Sequence, residues 1–187
     1  MGGLAAAYAK KGDAAKAIEF YDQAQALNGE IGDKRGQASA LGGIAAAHAK
    51  KGDAVKAIEF YERGLALSVE IGDKRGQASA LGGIAAAHAK KGDAAKAIEF
   101  YDRAQALNGE IGDKRGQASA LGGMAAVYSR SKQPNRAIEL YLEALDLNEQ
   151  VGNRPFFAIT LQQLSKLANA VGDQKLKQWC EDRLKGR

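Results

Sequence analysis

The chain has 187 residues, of which 45% are hydrophobic and 6% aromatic, and its formal net charge of +5 comes from 27 cations interleaved with 22 anions. One cysteine, Cys180, cannot form an internal disulfide, no cysteine or histidine cluster has metal-ligand spacing, and no apolar run is long enough to span a bilayer. We therefore expect one array without metal, cofactor or membrane contact. The first residues lack the pattern of a secretory or transit peptide, which predicts a cytoplasmic protein.

A 40-residue period runs through most of the chain. Residues 10–43 match residues 90–123 with one difference, Gln23 against Arg103, and the copy between them diverges mainly at Val55 and over residues 62–69. Such near-identity indicates either recent duplication or deliberate construction. The repeats cover residues 1–32, 33–72, 73–112, 113–152 and 153–187.

Each period predicts two helices joined by a tight turn. Apolar residues recur at helical spacing on both sides of Gly52-Asp53. The glycine is a typical helix stop and the aspartate is a good N-cap. Gly72-Asp73 forms the same kind of turn before the next period. First-type helices are predicted to begin near Met1, Lys34, Lys74, Lys114 and Pro155 and to alternate with five second-type helices. The phenylalanines Phe156 and Phe157 and the tryptophan Trp179 are predicted core residues.

These positions resemble the tetratricopeptide repeat (TPR) family, in the 40-residue form of the spindle adaptor family Pins/LGN. Its signature positions are occupied here by Leu41, Ile44, Ala45, His48, Gly52, Ala57, Tyr61 and Gly64. The resemblance implies an all-α fold, a right-handed superhelical solenoid of antiparallel helix pairs. It also implies a non-enzymatic protein-interaction scaffold that binds a peptide or a helix of a partner in a concave groove.

The family's groove positions fall on small residues in most repeats of this chain. A clamp for a carboxylate needs charge-assisted donors at these positions, so the small residues predict a smooth channel for an apolar or helical guest. Polar lining returns in the last repeat. The predicted groove residues are Ser39, Gly43, Ala46, Lys50, Ser79, Gly83, Ala86, Lys90, Ser119, Gly123, Ala126, Arg130, Gln163, Lys166 and Asn169. An arginine at Gly83 is expected to block the channel.

Glycine pairs such as Gly42-Gly43 admit two explanations. Small residues allow neighbouring helices to approach closely, or they leave room for a bound partner. Because an interior glycine costs about 1 kcal/mol relative to alanine, something must offset the cost of three internal pairs.

Two other classes of function are disfavoured. The Lys10-Lys11 series and the Lys34-Arg35 series could follow a phosphate backbone, but aspartates accompany them and no exposed aromatic series accompanies the cations. Catalysis is disfavoured because no nucleophile, base and orienting group converge in the sequence, and His48 and His88 are interpreted as packing residues.

The alternative non-catalytic function is self-assembly, in a natural or engineered array. Gly2 aligns with Gly42, so the first helix lacks counterparts of residues 33–40. Terminal repeats normally need a polar outer face. We therefore expect a homodimer through the N-terminal end, formed by Leu4, Ala7, Tyr8 and Ile18, or fraying of that end.

Overall fold

The computed structural model describes residues 1–185, and all the regular secondary structure within them is α-helical. Ten helices alternate between two types. The first-type helices are α1 (Gly2–Lys11), α3 (Lys34–Lys50), α5 (Lys74–Lys91), α7 (Lys114–Arg130) and α9 (Arg154–Val171). The second-type helices are α2 (Ala14–Glu30), α4 (Ala54–Glu70), α6 (Ala94–Glu110), α8 (Pro134–Gln150) and α10 (Gln174–Lys185). The predicted all-helical fold is confirmed, and each predicted start of a first-type helix is within one residue.

The predicted stop-and-cap turns are present. Gly52 has a φ of 85°, the left-handed conformation that glycine adopts without steric cost. A carboxylate oxygen of Asp53 then accepts a hydrogen bond from the backbone N–H of Lys56 at 3.1 Å, which caps α4. Asp73 accepts in the same way from the N–H of Gly76, also at 3.1 Å. These turns reverse the chain within a few residues, so consecutive helices pack as antiparallel hairpins.

The chain divides into two compact units: the N-terminal unit, Met1–Leu107, and the C-terminal unit, from Asn108 onward. In the N-terminal unit α3 packs against both α2 and α4, and α4 packs against α5. In the C-terminal unit α7 packs on α8, α8 on α9 and α9 on α10. The core of the N-terminal unit is mostly alanine with a few larger side chains such as Ile44 and Ile84, whereas larger side chains such as Leu161 make up more of the core of the C-terminal unit. Small core residues let the helices lie close together.

The two histidines are packing residues. The ring of His88 is buried and stacks on Phe100 at 5.6 Å between centroids, and His48 stacks on Phe60 at 5.5 Å. Their Nδ1 atoms lie 3.4 Å and 3.6 Å from the carboxylates of Asp93 and Asp53. The contacts tie the ends of α3 and α5 to the starts of α4 and α6.

The predicted aromatic core of the last repeat is wrong for two of its three residues. Phe157 is buried, but Phe156 is 51% exposed and Trp179 is 39% exposed. Adjacent residues on a helix point about 100° apart, and in α9 the side chain of Phe157 faces the core while that of Phe156 faces solvent. The Trp179 ring instead lies beneath the guanidinium of Arg183, whose carbon is 5.0 Å from the ring centroid.

Candidate functional site on the first-type helices

A stripe of small and polar residues lies along the open side of α3 and α5 in the N-terminal unit. Positions 39, 42, 46 and 50 are spaced by three or four residues, so they share one face of α3. Ser39 and Lys50 are exposed, and Ala46 is half-buried. The same stripe on α5 consists of Ser79, Gly82, Ala86 and Lys90, with the same pattern of exposure. We call the two stripes together the N-terminal face.

The two glycines of each pair have different surroundings. A Cβ at Gly43 would overlap the ring of Tyr21, and one at Gly83 would overlap the ring of Tyr61. A Cβ at Gly42 or Gly82 would meet no other atom within 4 Å. The second glycine of each pair therefore admits a tyrosine from the preceding second-type helix, whereas the first glycine faces open space.

The candidate site is therefore centred on Gly42 and Gly82, one residue before the glycines predicted from the sequence. The predicted groove residues include Gly43 and Gly83, but an arginine at Gly83 would first have to displace Tyr61. An arginine at Gly82 would project into open space above the face. A tyrosine stands 22 residues before the second glycine of each pair, but a contact over that separation cannot be inferred from local sequence signals.

The lysines of the N-terminal face bridge neighbouring first-type helices. The Nζ of Lys50 donates a hydrogen bond to the backbone carbonyl of Ala9 at 3.0 Å, and the Nζ of Lys90 donates to that of Ala49 at 3.0 Å. Each carbonyl lies in the last turn of a helix, where the dipole is negative. The lysines thus cap helix ends and add positive charge at one end of the face.

The C-terminal unit carries its own version of the face, with a more polar lining. On α7, Ser119 and Arg130 are exposed, and a Cβ at Gly122 would meet no atom within 4 Å. Gly123 and Ala126 on the same helix are half-buried. On α9 the exposed predicted residues are Gln163, Lys166 and Asn169. The amide and ammonium groups of α9 are therefore accessible for hydrogen bonds to a ligand.

Burial changes the acidity of two tyrosines on the second-type helices α4 and α8. It raises the pKa of Tyr61 above the ordinary value of a phenol. It also raises the pKa of Tyr141, where the positive charge of Arg130 acts in the opposite direction. Both phenols are therefore neutral at physiological pH, and the faces gain no negative charge from them.

Basic residues along the opposite edge of the N-terminal unit are paired with acids. Lys34 forms an ion pair with Glu70, and the Nε of Arg35 lies 3.4 Å from a carboxylate oxygen of Asp73. Pairing within the protein reduces the positive potential that a phosphate backbone needs. The geometry of this edge adds no support for nucleic-acid binding.

Residues 1–185 contain no group of three or more side chains that could hold a metal ion. Over the same residues, no helix is both long and apolar enough to cross a membrane.

The predicted self-association residues differ in exposure. Leu4 is 53% exposed and Ala7 is exposed, whereas Tyr8 and Ile18 are half-buried. The Tyr8 ring stacks on Phe20 of the same hairpin at 5.3 Å between centroids. Leu4 and Ala7 are therefore the more accessible members of this set.

Comparison with solved structures identifies the same architecture in other proteins. BtubC (BKLC) from P. vanneervenii is 23% identical, with a TM-score of 0.83 over 97% of this chain and 76% of that one. A Podosopora anserina kinesin light chain protein with nearly identical TPR-like repeats is 16% identical, with a TM-score of 0.75 over 99% of this chain and 92% of that one. At these identities the similarity shows the fold.

A third similar structure is a Rap protein complexed with Competence and Sporulation Factor. It is 14% identical, with a TM-score of 0.85 over 97% of this chain and 51% of the Rap chain. No curated protein matches the sequence. The family model for the tetratricopeptide repeat matches residues 1–68 and 76–150, which is well over half of the sequence. The chain therefore belongs to the tetratricopeptide repeat family.

Proposed function

We propose that this chain is a protein-interaction module that binds an apolar, helical segment of a partner on the open side of its first-type helices. The observation that carries the proposal is the open space above Gly42 and Gly82. An interior glycine costs about 1 kcal/mol relative to alanine, and packing against Tyr21 and Tyr61 accounts only for the neighbouring glycines Gly43 and Gly83. A bound segment that approaches the helix backbone closely would explain why glycine and not alanine stands at these open positions.

The chemistry of the N-terminal face favours a helical guest over an acidic peptide terminus. Its centre offers glycine and alanine surface and no side-chain donor, while Lys50 and Lys90 already donate to backbone carbonyls. A helix satisfies its own backbone hydrogen bonds, so it can lie on a surface without donors and bury apolar side chains there. The exposed serines Ser39 and Ser79 would meet the edge of such a guest.

The C-terminal unit would supply specificity in its own binding face. Gln163, Lys166 and Asn169 present donors and acceptors on α9, and a polar group that meets its partner discriminates against ligands that leave it unpaired. The Rap structure with Competence and Sporulation Factor is a precedent for ligand binding by a protein of similar fold.

The test is a pair of arginine substitutions. Peptides selected from a random display library against the chain would be labelled, and their affinities measured by fluorescence anisotropy. Gly82→Arg should weaken binding at least about tenfold, which corresponds to about 1.4 kcal/mol. Ala66→Arg adds the same side chain at an exposed position of α4 and should leave affinity unchanged. Equal binding by both variants would remove the N-terminal face as the site.

A further inference from the structure

The first-type helices of the N-terminal unit carry basic residues without any acidic side chain. Aspartate and glutamate are absent from α1, α3 and α5, whereas α2, α4 and α6 carry three acidic residues each. Lys50 and Lys90, in the last turns of α3 and α5, are exposed and form one end of the N-terminal face. This end of the face is therefore positively charged, and neither helix supplies a carboxylate to neutralise it.

The neighbouring first-type helix holds each of these two ammonium groups in place. The Nζ of Lys50 lies 3.0 Å from the carbonyl oxygen of Ala9, and that of Lys90 lies 3.0 Å from the carbonyl oxygen of Ala49. An ammonium has three N–H donors, so two remain after the bond to the carbonyl. A carboxylate that meets these groups gains charge-assisted hydrogen bonds to lysine side chains that are already ordered.

The two ends of the face differ in how their charges are balanced. A backbone carbonyl is neutral, so it leaves the charges of the two lysines uncompensated. At the other end of α3, the carboxylates of Glu70 and Asp73 balance Lys34 and Arg35. A partner that carries carboxylates therefore gains more at the lysine end than at the other end.

We infer that the segment bound on the N-terminal face is an amphipathic helix whose flank beside Lys50 and Lys90 carries acidic residues about seven positions apart. The inference rests on the proposed function and specifies the charge and the spacing of the partner. An acidic flank meets the uncompensated lysine charges, while the apolar side of the same helix lies over the glycines and alanines of the face.

The spacing follows from helix geometry. The helices α3 and α5 are neighbours, and the axes of packed helices lie about 8–10 Å apart. A helix rises about 1.5 Å per residue, so seven residues of a guest that crosses α3 and α5 span about 10.5 Å. After seven residues a helix also returns to nearly the same face. Acidic residues at this interval would meet Lys50 and Lys90 in turn.

The flank of such a guest comes within reach of the lysines. Lys50 follows Gly42 by eight residues, which is about 12 Å along α3. A helix with its side chains is about 10–12 Å across, so a guest that lies over Gly42 and Ala46 ends within about one side-chain length of Lys50. The residues at the other end of the face, Ser39 and Ser79, are uncharged, so only one flank of the guest needs to be acidic.

Synthetic helical peptides test the inference. The first has a leucine and alanine face and glutamates every seven residues along one flank. The second has the same composition, with the glutamates moved to the side opposite the apolar face, and the third has lysines in place of the flank glutamates. The parent chain should bind the first at least about fivefold more tightly than the other two, because only that complex forms ion pairs with the lysines. The advantage should shrink as salt is added, because salt screens exposed charges.

Charge reversal of the lysines supplies the matched variants. Lys50→Glu with Lys90→Glu should reverse the preference, so that the lysine-flanked peptide binds more tightly than the first peptide. Lys51→Glu with Lys91→Glu makes the same change in net charge at the next exposed residue and should keep the preference of the parent. Lys50→Gln with Lys90→Gln retains a donor for the carbonyl and removes only the charge, so it should abolish the preference. Circular dichroism checks that each variant is folded.

The outcomes separate the inference from the proposed function. Gly82→Gln fills the open space on α5 without adding charge and should weaken binding of the first peptide. Equal affinities of the parent for all three peptides, each weakened by Gly82→Gln, would keep the proposed function and overturn the inference. Binding that Gly82→Gln leaves unchanged would overturn both. Tight binding of double-stranded DNA that is lost only when Lys50 and Lys90 are reversed would assign these lysines to phosphates and overturn the inference.

Discussion

The ring of Tyr61 lies against the backbone of α5 at Gly83, in the space that any side chain at position 83 would need. We expect Gly83→Ala to destabilise the chain, although alanine is the better helix former by about 1 kcal/mol. Moving the half-buried ring away from its position should cost about 1–3 kcal/mol, as overpacking does elsewhere. Chemical denaturation followed by circular dichroism measures the effect.

A second substitution, at Tyr61, tests whether the ring causes this loss of stability. In a Tyr61→Leu background the overlap should be reduced, and Gly83→Ala should then cost less than in the parent. An equal cost in both backgrounds would contradict the role assigned to the ring. Midpoints rather than extrapolated free energies are compared, because repeat arrays can depart from two-state unfolding.

Gly82→Ala is expected to stabilise the chain, in contrast to Gly83→Ala. No atom lies within 4 Å of a Cβ at this position, so the substitution gains helix propensity without a clash. The free energy of unfolding should rise by about 0.5–1 kcal/mol. The denaturation midpoint should increase while selected peptides bind more weakly, if the open glycine serves a closely approaching guest. A lower midpoint would show that the position is not open.

Much of this fold could be predicted from the sequence because its signals are local. Asp53 and Asp73 cap helices as predicted, since a cap depends on residues within one turn. The roles of Gly82 and Gly83 could not be separated in this way. Their difference depends on where the ring of Tyr61 comes to rest, which is a contact between residues far apart in sequence.

The burial of the aromatic residues in the last repeat also could not be predicted from local sequence signals. Phe156 and Phe157 have equal hydrophobicity, and only the packing of α9 decides that Phe157 is buried. The sequence also predicts Trp179 in the core. The ring is instead partly exposed and lies under Arg183, one turn later.

The buried thiol of Cys180 predicts a loss of stability in alkaline solution. Burial, with a smaller contribution from the negative charge of Glu181, raises the pKa of Cys180 from 9.0 to about 11. The folded state therefore favours the neutral thiol. This contribution is complete below pH 9.0 and is lost as the pH rises through about 11. The denaturation midpoint, measured between these pH values, should fall more steeply for the parent than for Cys180→Ala.

Thiol reactivity provides an independent measurement of the same group. At pH 8 the thiol should react slowly with a chromogenic disulfide in the folded chain and rapidly after denaturation, because the thiolate is the reactive form. Rapid reaction of the folded chain would show that Cys180 is accessible.

Surface shape alone cannot specify which helices become neighbours in this protein. Residues 34–50 and 74–90 have the same sequence, so α3 and the matching part of α5 offer identical surfaces to a folding partner. A hairpin formed from either helix could accept the other as a substitute, which is the origin of misassembly in arrays of near-identical repeats. The short turns at Gly52 and Gly72 favour the native pairing, because closing a short loop costs less entropy than bringing a distant identical helix into place.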